Sequence, residues 1–248
     1  MTCLAPQEFT RHSRFTGDDY ADILTREGWL TRTPADFQSA VISGCIPTRR
    51  AAGEPLYQIG DAPGGLFGIC SGALEISTPL GDPDADVLHL AQPGFWFGAG
   101  PALTGEPRRM RVGVRTDTVL AHLPLTALNR IMANRPEWWR HVGALAIENM
   151  DVVIGAAADL LIRDNRRRCV AVLLRLCGAR YADPCSDASL DLAVSQTELA
   201  SMAHLSRNGA GAVLRQLARC DLIDLGYRTI TVRAPAAMRA IVTEAARD

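Results

Sequence analysis

The stretch 195–223 limits the fold of this chain more than any other, because it carries two helix-start signals eleven residues apart. Ser195 and Glu198 have the spacing of a capping box. In this motif the serine oxygen accepts a hydrogen bond from a free helix N–H, and the glutamate accepts one from the serine N–H. Ser206 is a second N-cap residue. The pattern therefore predicts a short helix from Ser195, a tight turn, and a longer helix from Ser206 to about Arg219.

The second predicted helix has one apolar side and one polar side. Its buried side is predicted to contain Val213, Leu214 and Leu217. The residues predicted to face away from the core are Arg207, Asn208, Gly211, Ala212 and Arg215. The first turn of a recognition helix contacts base edges, and arginine and asparagine each suit a two-point contact, with guanine and adenine respectively. The pair of helices therefore predicts a helix-turn-helix that reads the major groove.

Short strands are predicted on both sides of the helix pair. An alternating run at 190–194 precedes it, and apolar runs at 222–225 and 229–232 follow it around a glycine-containing turn. Taken alone, the helices could form a hairpin with a charged, solvated face, but the flanking strands favour a winged helix-turn-helix with Arg228 near phosphate at the wing tip. The predicted DNA-contacting residues are Ser195, Gln196, Thr197, Ser206, Arg207, Asn208, Ala212, Arg215 and Arg228.

Charge is unevenly distributed along the chain. The net charge is −1, yet residues 163–248 carry 13 arginines against 9 acidic residues, whereas residues 1–162 carry 13 against 18. The half that contains the predicted helix-turn-helix is therefore the basic half. This placement agrees with DNA as the partner of that half.

Several function classes lack their signatures in this sequence. There is no Walker loop, no G-x-S-x-G and no HExxH, so an enzyme is not expected. The seven cysteines include no CxxC pair, which favours buried free thiols over a disulfide framework or a metal site. Residues 1–15 lack the apolar segment of a secretory signal, and no uninterrupted apolar run reaches the length of about 18 residues that a membrane span needs. A cytoplasmic protein without a membrane partner is predicted.

The first half of the chain has the sequence pattern of a β domain. From Arg49 to about Leu123, short alternating runs are separated by glycine, proline and aspartate, which indicates a small barrel or jelly roll. Short helices are predicted before it, at 18–27 and 34–45, and after it, at 126–133.

A long helix is predicted from Glu137 towards Arg163. Five apolar residues recur along it at spacings of 3 and 4, as in a coiled-coil seam, which predicts a dimer interface. These seam residues are Ile147, Met150, Ile154, Ala157 and Leu161. A fully buried helix of a monomer is the alternative. The arginine-rich stretch 163–168 is predicted to be a polar hinge, with a helix resuming at Cys169. The predicted domains are therefore 1–135, 136–168 and 169–248.

Three features together resemble the Crp/Fnr family of bacterial transcription regulators along residues 30–233. They are the glycine-spaced β segment from Gly53 to Ile76, the long helix, and the winged helix opened by Ser206-Arg207. The resemblance implies an α+β fold with an N-terminal β-roll resembling a cyclic-nucleotide-binding jelly roll, a long dimerisation helix and a C-terminal winged helix-turn-helix. It also implies a homodimer on a near-palindromic operator with half-sites about 34 Å apart, and RNA polymerase as a further partner.

The chain departs from the family's cyclic-nucleotide site. Nucleotide-binding members carry a Gly-Glu pair, which holds the ribose, and an Arg-Ser or Arg-Thr pair, which holds the phosphate. Here the corresponding residues are Gly98-Ala99 and Arg108-Arg109. Ala99 cannot accept a ribose hydrogen bond, although Arg108 can still pair with an anion. The resemblance therefore predicts an effector pocket at these four residues that does not hold a cyclic nucleotide in the usual mode.

Other family cofactors are not expected either. Cys3 and Cys45 do not provide the closely spaced N-terminal cysteines of the iron–sulfur relatives, and His89 and His122 are single histidines in predicted strands, which favours structural roles over haem ligation. We predict a homodimeric, sequence-specific transcription regulator that senses an unidentified signal. The alternative is a cyclic-nucleotide-binding regulatory protein whose C-terminal domain contacts other proteins.

Overall fold

The computed structural model describes residues 19–78, 87–180 and 189–243. Within these ranges the chain forms a β-roll, a long helix and a C-terminal winged helix-turn-helix, which we call the head. This order confirms the predicted fold class.

Two short helices and a 3₁₀ turn precede the β-roll. Helix α1 spans Asp19–Arg26, the 3₁₀ turn Trp29–Arg32 and helix α2 Ala35–Gly44. Trp29 and Phe37 are buried and pack edge to face with their ring centroids 5.7 Å apart. The indole Nε1 of Trp29 also donates a hydrogen bond to the carbonyl oxygen of His141 at 2.8 Å. These contacts fasten the N-terminal helices to the long helix.

Among the described residues, eight strands form the β-roll as two antiparallel sheets of four. The strands are β1 (Ile46–Arg50), β2 (Pro55–Tyr57), β3 (Gly65–Ser71), β4 (Leu74–Ser77), β5 (Val87–Ala91), β6 (Trp96–Phe97), β7 (Arg111–Val114) and β8 (Thr118–Pro124). One sheet has the order β1-β8-β3-β6 and the other β2-β7-β4-β5. The β segment thus begins three residues before the predicted Arg49. A Cβ at Gly68 would lie 2.6 Å from the Trp96 indole, so this position in β3 must remain glycine for the ring to pack.

Two helices flank the last strands of the β-roll. Helix α4 (Leu125–Asn134) confirms the helix predicted at 126–133. Helix α3 (Ala99–Thr104) was not predicted, because its six residues include Gly100 and Pro101, which are typical of a turn. Gly98 precedes α3 with a φ of 100°, in the left-handed region that favours glycine.

The long helix α5 spans Trp139–Leu160. It packs one side on the β-roll, where the Nδ2 of Asn149 donates to the carbonyl oxygen of Trp96 at 2.9 Å. Helix α6 (Asn165–Leu176) follows after residues 161–164, with Asp164 as its N-cap accepting from the Arg167 N–H at 2.7 Å. The predicted hinge at 163–168 is therefore too long. An aspartate before an arginine run is an N-cap signal, and the arginines belong to the first turn of α6.

The head contains α6, a three-stranded sheet and three further helices. These elements are β9 (Leu190–Leu192), α7 (Gln196–Met202), α8 (Arg207–Arg219), β10 (Ile223–Gly226), β11 (Thr229–Val232) and α9 (Pro235–Thr243). The sheet order is β10-β11-β9. Residues 169–174 of α6 are all buried in the core of the head, because helices pack on both sides of α6. The arrangement confirms the predicted winged helix-turn-helix.

Replacing Ser195 with alanine is expected to lower the free energy of unfolding of the head by about 1 kcal/mol, because the capping oxygen at the start of α7 is lost. Chemical denaturation followed by circular dichroism measures this change. Ser201→Ala, the same substitution inside α7, is the control. An equal effect of the two substitutions would contradict a capping role for Ser195.

Candidate nucleic-acid interface and ligand pocket

The start of each helix in the helix-turn-helix is held by a serine cap. The Glu198 N–H donates to Ser195 Oγ at 3.2 Å, and the Ser195 N–H donates to Glu198 Oε2 at 2.8 Å, so both bonds of the capping box are present. The N–H of Gly209 donates to Ser206 Oγ at 3.1 Å. Between the helices His204 adopts a φ of 48°, which makes the turn tight. Both predicted helix starts are confirmed.

The structure exposes most of the predicted DNA-contacting residues of the head. Ser195 is half-buried as a cap. The exposed residues are Gln196, Thr197, Ser206, Arg207, Asn208, Ala212, Arg215 and Arg228. Arg207 and Asn208 occupy the first turn of α8, as predicted. The start of α7 and the first half of α8 thus present polar side chains from the same part of the head.

Gly211 does not belong to this exposed set, and its predicted placement was wrong. It is buried, and a Cβ there would lie 3.3 Å from Arg215 Nη1 and 3.9 Å from Gln196 Oε1. The side chains of Arg215, in the same helix, and of Gln196, at the start of α7, cover this residue. The helical period alone could not show this cover.

The wing is the hairpin of β10 and β11. Gly226 pairs with Thr229, which leaves Tyr227 and Arg228 as the two-residue tip. Arg228 is exposed there, as predicted, with a φ of 55°. Tyr227 was not predicted as a contact, yet it is 93% exposed at the same tip. A solvent-facing aromatic in a turn was the available sequence signal.

Arg115 joins the β-roll to the head and was not identified from the sequence. Its guanidinium forms ion pairs with Glu75 in β4 and with Glu198, the capping glutamate of α7. Its Nε also donates to the carbonyl oxygen of Ala193. Partial burial alone would raise the pKa of Glu198, but hydrogen bonds from Arg115 and Ser195 lower it overall, so the carboxylate remains charged at neutral pH. One carboxylate therefore serves both the cap of α7 and the contact with the β-roll.

A buried ion pair connects the long helix with the head. Asp159 of α5 accepts from Arg175 Nε at 2.9 Å and from Arg180 Nε at 3.3 Å. Asp159 and Arg175 are both buried, and charges of this kind require such pairing. The pair fixes the end of α5 against α6, next to the connection at 161–164.

A cavity of about 530 Å³ lies between the β-roll and α5. Gly98, Arg108 and Arg109 line it, as predicted for the effector pocket. Ala99 does not, because it is buried in the core as the first residue of α3, so its predicted place in the pocket was wrong. The aromatic rings of Tyr57, Phe95 and Phe97, which come from β2, β6 and the turn before it, complete the apolar wall.

Two hydrogen bonds to backbone carbonyl oxygens and a contact with an aromatic ring position Arg108 at this cavity. Its N–H donates to the carbonyl oxygen of Asp61 at 2.8 Å, and its Nη2 donates to that of Gly65 at 3.1 Å. The guanidinium carbon lies 4.3 Å from the centroid of the Tyr57 ring, a cation–π distance. Burial lowers the pKa of Arg108. Its Nη1 is buried and has no hydrogen-bond partner within the described part of the chain.

The predicted seam of α5 faces outward. Ile147, Met150, Ile154 and Leu161 are exposed large apolar residues, and Ala157 is exposed between them. The opposite side of the helix is buried at Val142 and Leu145. The fully buried alternative is therefore wrong, because one side of α5 packs on the β-roll and the other forms a continuous apolar surface.

The same helix has the length and composition of a membrane span. The 25 residues Pro136–Leu160 include a window with a mean hydropathy of 1.2. Scattered charges interrupt the apolar residues of α5, so the sequence contains no uninterrupted apolar run here. One of these, Glu148, forms an ion pair with Arg32, and Asn149 bonds to the β-roll. These contacts favour a packed helix over a span.

The cysteines and histidines of the described ranges do not assemble a metal site. Cys45, Cys70, Cys169, Cys177 and Cys220 are free thiols, whereas Cys3 and Cys185 lie outside the described residues. Burial raises the pKa values of Cys45, Cys70 and Cys169 to about 12, so these thiols are protonated at neutral pH.

The two histidines considered as haem ligands differ in their surroundings. The Nε2 of His122 lies 2.7 Å from the carbonyl oxygen of Gly64, and its ring stacks on Phe67 with centroids 4.3 Å apart. Burial lowers the pKa of His89 to about 3, which keeps its imidazole neutral. His89 lines the cavity described above.

Two family models match this chain. The cyclic nucleotide-binding domain matches residues 47–135, and the Crp-like helix-turn-helix domain matches residues 167–241. No curated protein matches the chain.

Solved structures resemble the chain over most of its length. A transcriptional regulator of the CRP family from Thermus thermophilus is 25% identical, with a TM-score of 0.58 over 79% of this chain and 96% of that one. FixK2 from Bradyrhizobium japonicum is 17% identical, with a TM-score of 0.66 over 79% and 96%. The c-di-GMP responsive regulator CLP from Xanthomonas campestris is 22% identical, with a TM-score of 0.58 over 81% and 100%.

Proposed function

Because the chain belongs to the Crp/Fnr family of DNA-binding transcription regulators, we propose that it acts as a homodimer that binds a near-palindromic operator and responds to a signal sensed by its β-roll. The observation that carries this proposal is the exposed apolar seam of α5 on a chain whose α8 also exposes Arg207 and Asn208. A second copy that covers the seam would place two recognition helices on one DNA molecule.

In the proposed complex, α8 enters the major groove with its first turn. Arg207 is assigned to a guanine edge and Asn208 to an adenine edge. Arg228 and Tyr227 of the wing tip lie on the flanking backbone. Two heads related by a two-fold axis then address half-sites about 34 Å apart, one helical turn of DNA.

The signal is proposed to reach the head through direct contacts with the β-roll. Arg115 bridges Glu75 of the β-roll and Glu198 of the head. Leu90 of β5 packs in the hydrophobic core of the head, and Gln92 donates to the carbonyl oxygen of Asp191. A change in the position of these β-roll residues would therefore shift the start of α7. Rigid-body movement of the heads about the connection at 161–164 would alter their spacing on DNA.

We place the protein in the cytoplasm, where its DNA lies, and assign it no membrane partner and no catalytic activity. Contact with RNA polymerase is proposed as the route by which a bound dimer affects transcription. The packing of α5 on the β-roll supports the non-membrane assignment.

Selection of bound fragments from random DNA by the purified full chain tests the proposed function. We expect enrichment of a two-fold site whose half-site centres are about one helical turn apart. Selection at low salt gives the greatest electrostatic affinity. Repeated selections at low salt that yield no shared sequence would contradict sequence-specific binding, and enrichment of a single half-site would contradict the dimer.

Arg115→Ala is expected to loosen the start of α7. The change removes one ion pair and one hydrogen bond to the head, at Glu198 and Ala193, together with the ion pair to Glu75 inside the β-roll. The first-turn amides of α7 should therefore exchange with deuterium about tenfold faster, since exchange follows the local opening free energy. Mass spectrometry of exchanged peptides measures this rate. Arg26→Ala, which removes an exposed ion pair with Asp22, is the matched control. Unchanged exchange in α7 would contradict the coupling role of Arg115.

A further inference from the structure

The cavity between the β-roll and α5 combines an apolar wall with very few polar groups. Tyr57, Phe95 and Phe97 line one side, and Met150 and Val153 of α5 line the other. At about 530 Å³, the cavity falls in the range of small-molecule sites. Aromatic and aliphatic walls of this kind favour a ligand with a flat apolar body.

Two buried nitrogen atoms of residues lining this cavity lack partners. Arg108 Nη1 and His89 Nδ1 have no hydrogen-bond partner among the described residues. Native proteins satisfy nearly all buried polar atoms, and a polar ligand group that reached these two nitrogen atoms would satisfy both. The neutral His89 can form one further hydrogen bond through Nδ1, and its ring centroid lies 5.3 Å from that of Phe95.

Arg108 forms no ion pair with a carboxylate of the described residues, although it is buried. Its side chain is only 3% exposed. The charge of nearby Asp61 favours the charged form of Arg108, but this carboxylate accepts from the Gln58 N–H and forms no ion pair with the guanidinium. Glu106, which also lines the cavity, is exposed. A buried guanidinium without a counter-ion is costly, and a carboxylate suits its planar donor geometry.

A nucleotide would find too few polar partners in this cavity. Thr104 Oγ1 already donates to the carbonyl oxygen of Gly100, and Asn149 Nδ2 already donates to that of Trp96. Ala99, which lacks a polar side chain, is buried away from the cavity. A ribose and a base would therefore bury several hydrogen-bonding groups without partners, which is unfavourable.

We propose that this cavity binds a flat aromatic monocarboxylic acid, with the carboxylate on Arg108 and the ring among Tyr57, Phe95 and Phe97. The proposal rests on the proposed function only in treating the cavity as the place where the signal is sensed. His89 lines the cavity from β5, and Leu90, the next residue of the same strand, packs in the core of the head. A ligand that orders β5 thus acts one residue away from the head.

Calorimetric titration of the full chain, without DNA, tests the proposal with 2-naphthoate as the probe. We expect one binding site per chain and an affinity at least about tenfold higher for 2-naphthoate than for the uncharged 2-naphthamide, because only the acid can pair with Arg108. Arg108→Gln should abolish this preference. Arg49→Gln, which removes an exposed arginine of β1 away from the cavity, is the matched control and should retain the preference.

Three outcomes would overturn the proposal: equal affinity for the acid and the amide, no binding of 2-naphthoate at millimolar concentration, or tighter binding of cyclic AMP than of 2-naphthoate. The comparison of acid with amide on the unchanged protein remains decisive even if Arg108→Gln does not fold. Because the titration contains no DNA, its failure leaves sequence-specific DNA binding untouched. Failure of the DNA selection would likewise leave the ligand result standing.

Discussion

Replacing Ile154 with glutamate is expected to convert the proposed dimer into monomers and to weaken operator binding by about 100-fold or more, the range expected when two linked binding events become one. Ile154 lies in the middle of the α5 seam, and its side chain is 55% exposed in the single chain. In a two-fold interface each substitution occurs twice and close to the symmetry axis. Two carboxylates would then be desolvated next to each other, which a small apolar interface cannot tolerate.

Sedimentation at micromolar concentration measures the oligomeric state, and fluorescence anisotropy with a labelled operator measures the affinity. Ile46→Glu is a closely matched control, because Ile46 is an isoleucine of 56% exposure in β1, away from α5. This variant should remain a dimer and bind the operator as the unchanged protein does. A dimeric Ile154→Glu protein would show that the seam of α5 is not the interface.

The elements that the sequence predicted are those whose signals lie close together in the chain. Ser195 and Glu198 are three residues apart, and both hydrogen bonds of their capping box are present. The wing was predicted in the same way, from two apolar runs around a short turn. Local hydrogen bonding and side-chain alternation decide such elements, so short windows of sequence contain the necessary information.

The contacts between the β-roll and the head could not be predicted. Arg115 and Glu198 are 83 residues apart, and neither residue has an unusual neighbour in the sequence. Only the tertiary contact between the residue that follows β7 and the start of α7 brings them together. The same reason explains Gly211, which the side chain of Gln196 in α7 helps to cover, and which a single-helix pattern assigns to the exposed side.

The cavity between the β-roll and α5 was predicted in part. The family resemblance located Gly98 and Arg108, which line the cavity, but not the residues that determine its character. Tyr57 belongs to a different strand, and Met150 belongs to α5, so the apolar wall arises from parts of the chain that are distant in sequence. A motif can therefore predict the position of a cavity, while the character of its lining depends on the tertiary structure.

Replacing Arg207 with alanine is expected to weaken operator binding by about 100-fold, since each two-point contact with guanine contributes about 1–3 kcal/mol and a dimer loses two of them. Arg207 is exposed in the first turn of α8, directly after the Ser206 cap. Alanine keeps the helix intact, so the loss reports on the DNA contact. Anisotropy titrations on the selected operator and on DNA of unrelated sequence measure both affinities.

The ratio of these two affinities distinguishes base reading from phosphate contact. If Arg207 reads a base, binding to unrelated DNA should fall only a few-fold, and specificity at one base position of each half-site should be lost. If Arg207 contacts phosphate, both affinities should fall together and the salt dependence should decrease by about one ion per head. Arg130→Ala, the same loss of charge at an exposed position of α4, should change neither affinity. Operator binding that is unchanged in Arg207→Ala would show that α8 does not read DNA with its first turn.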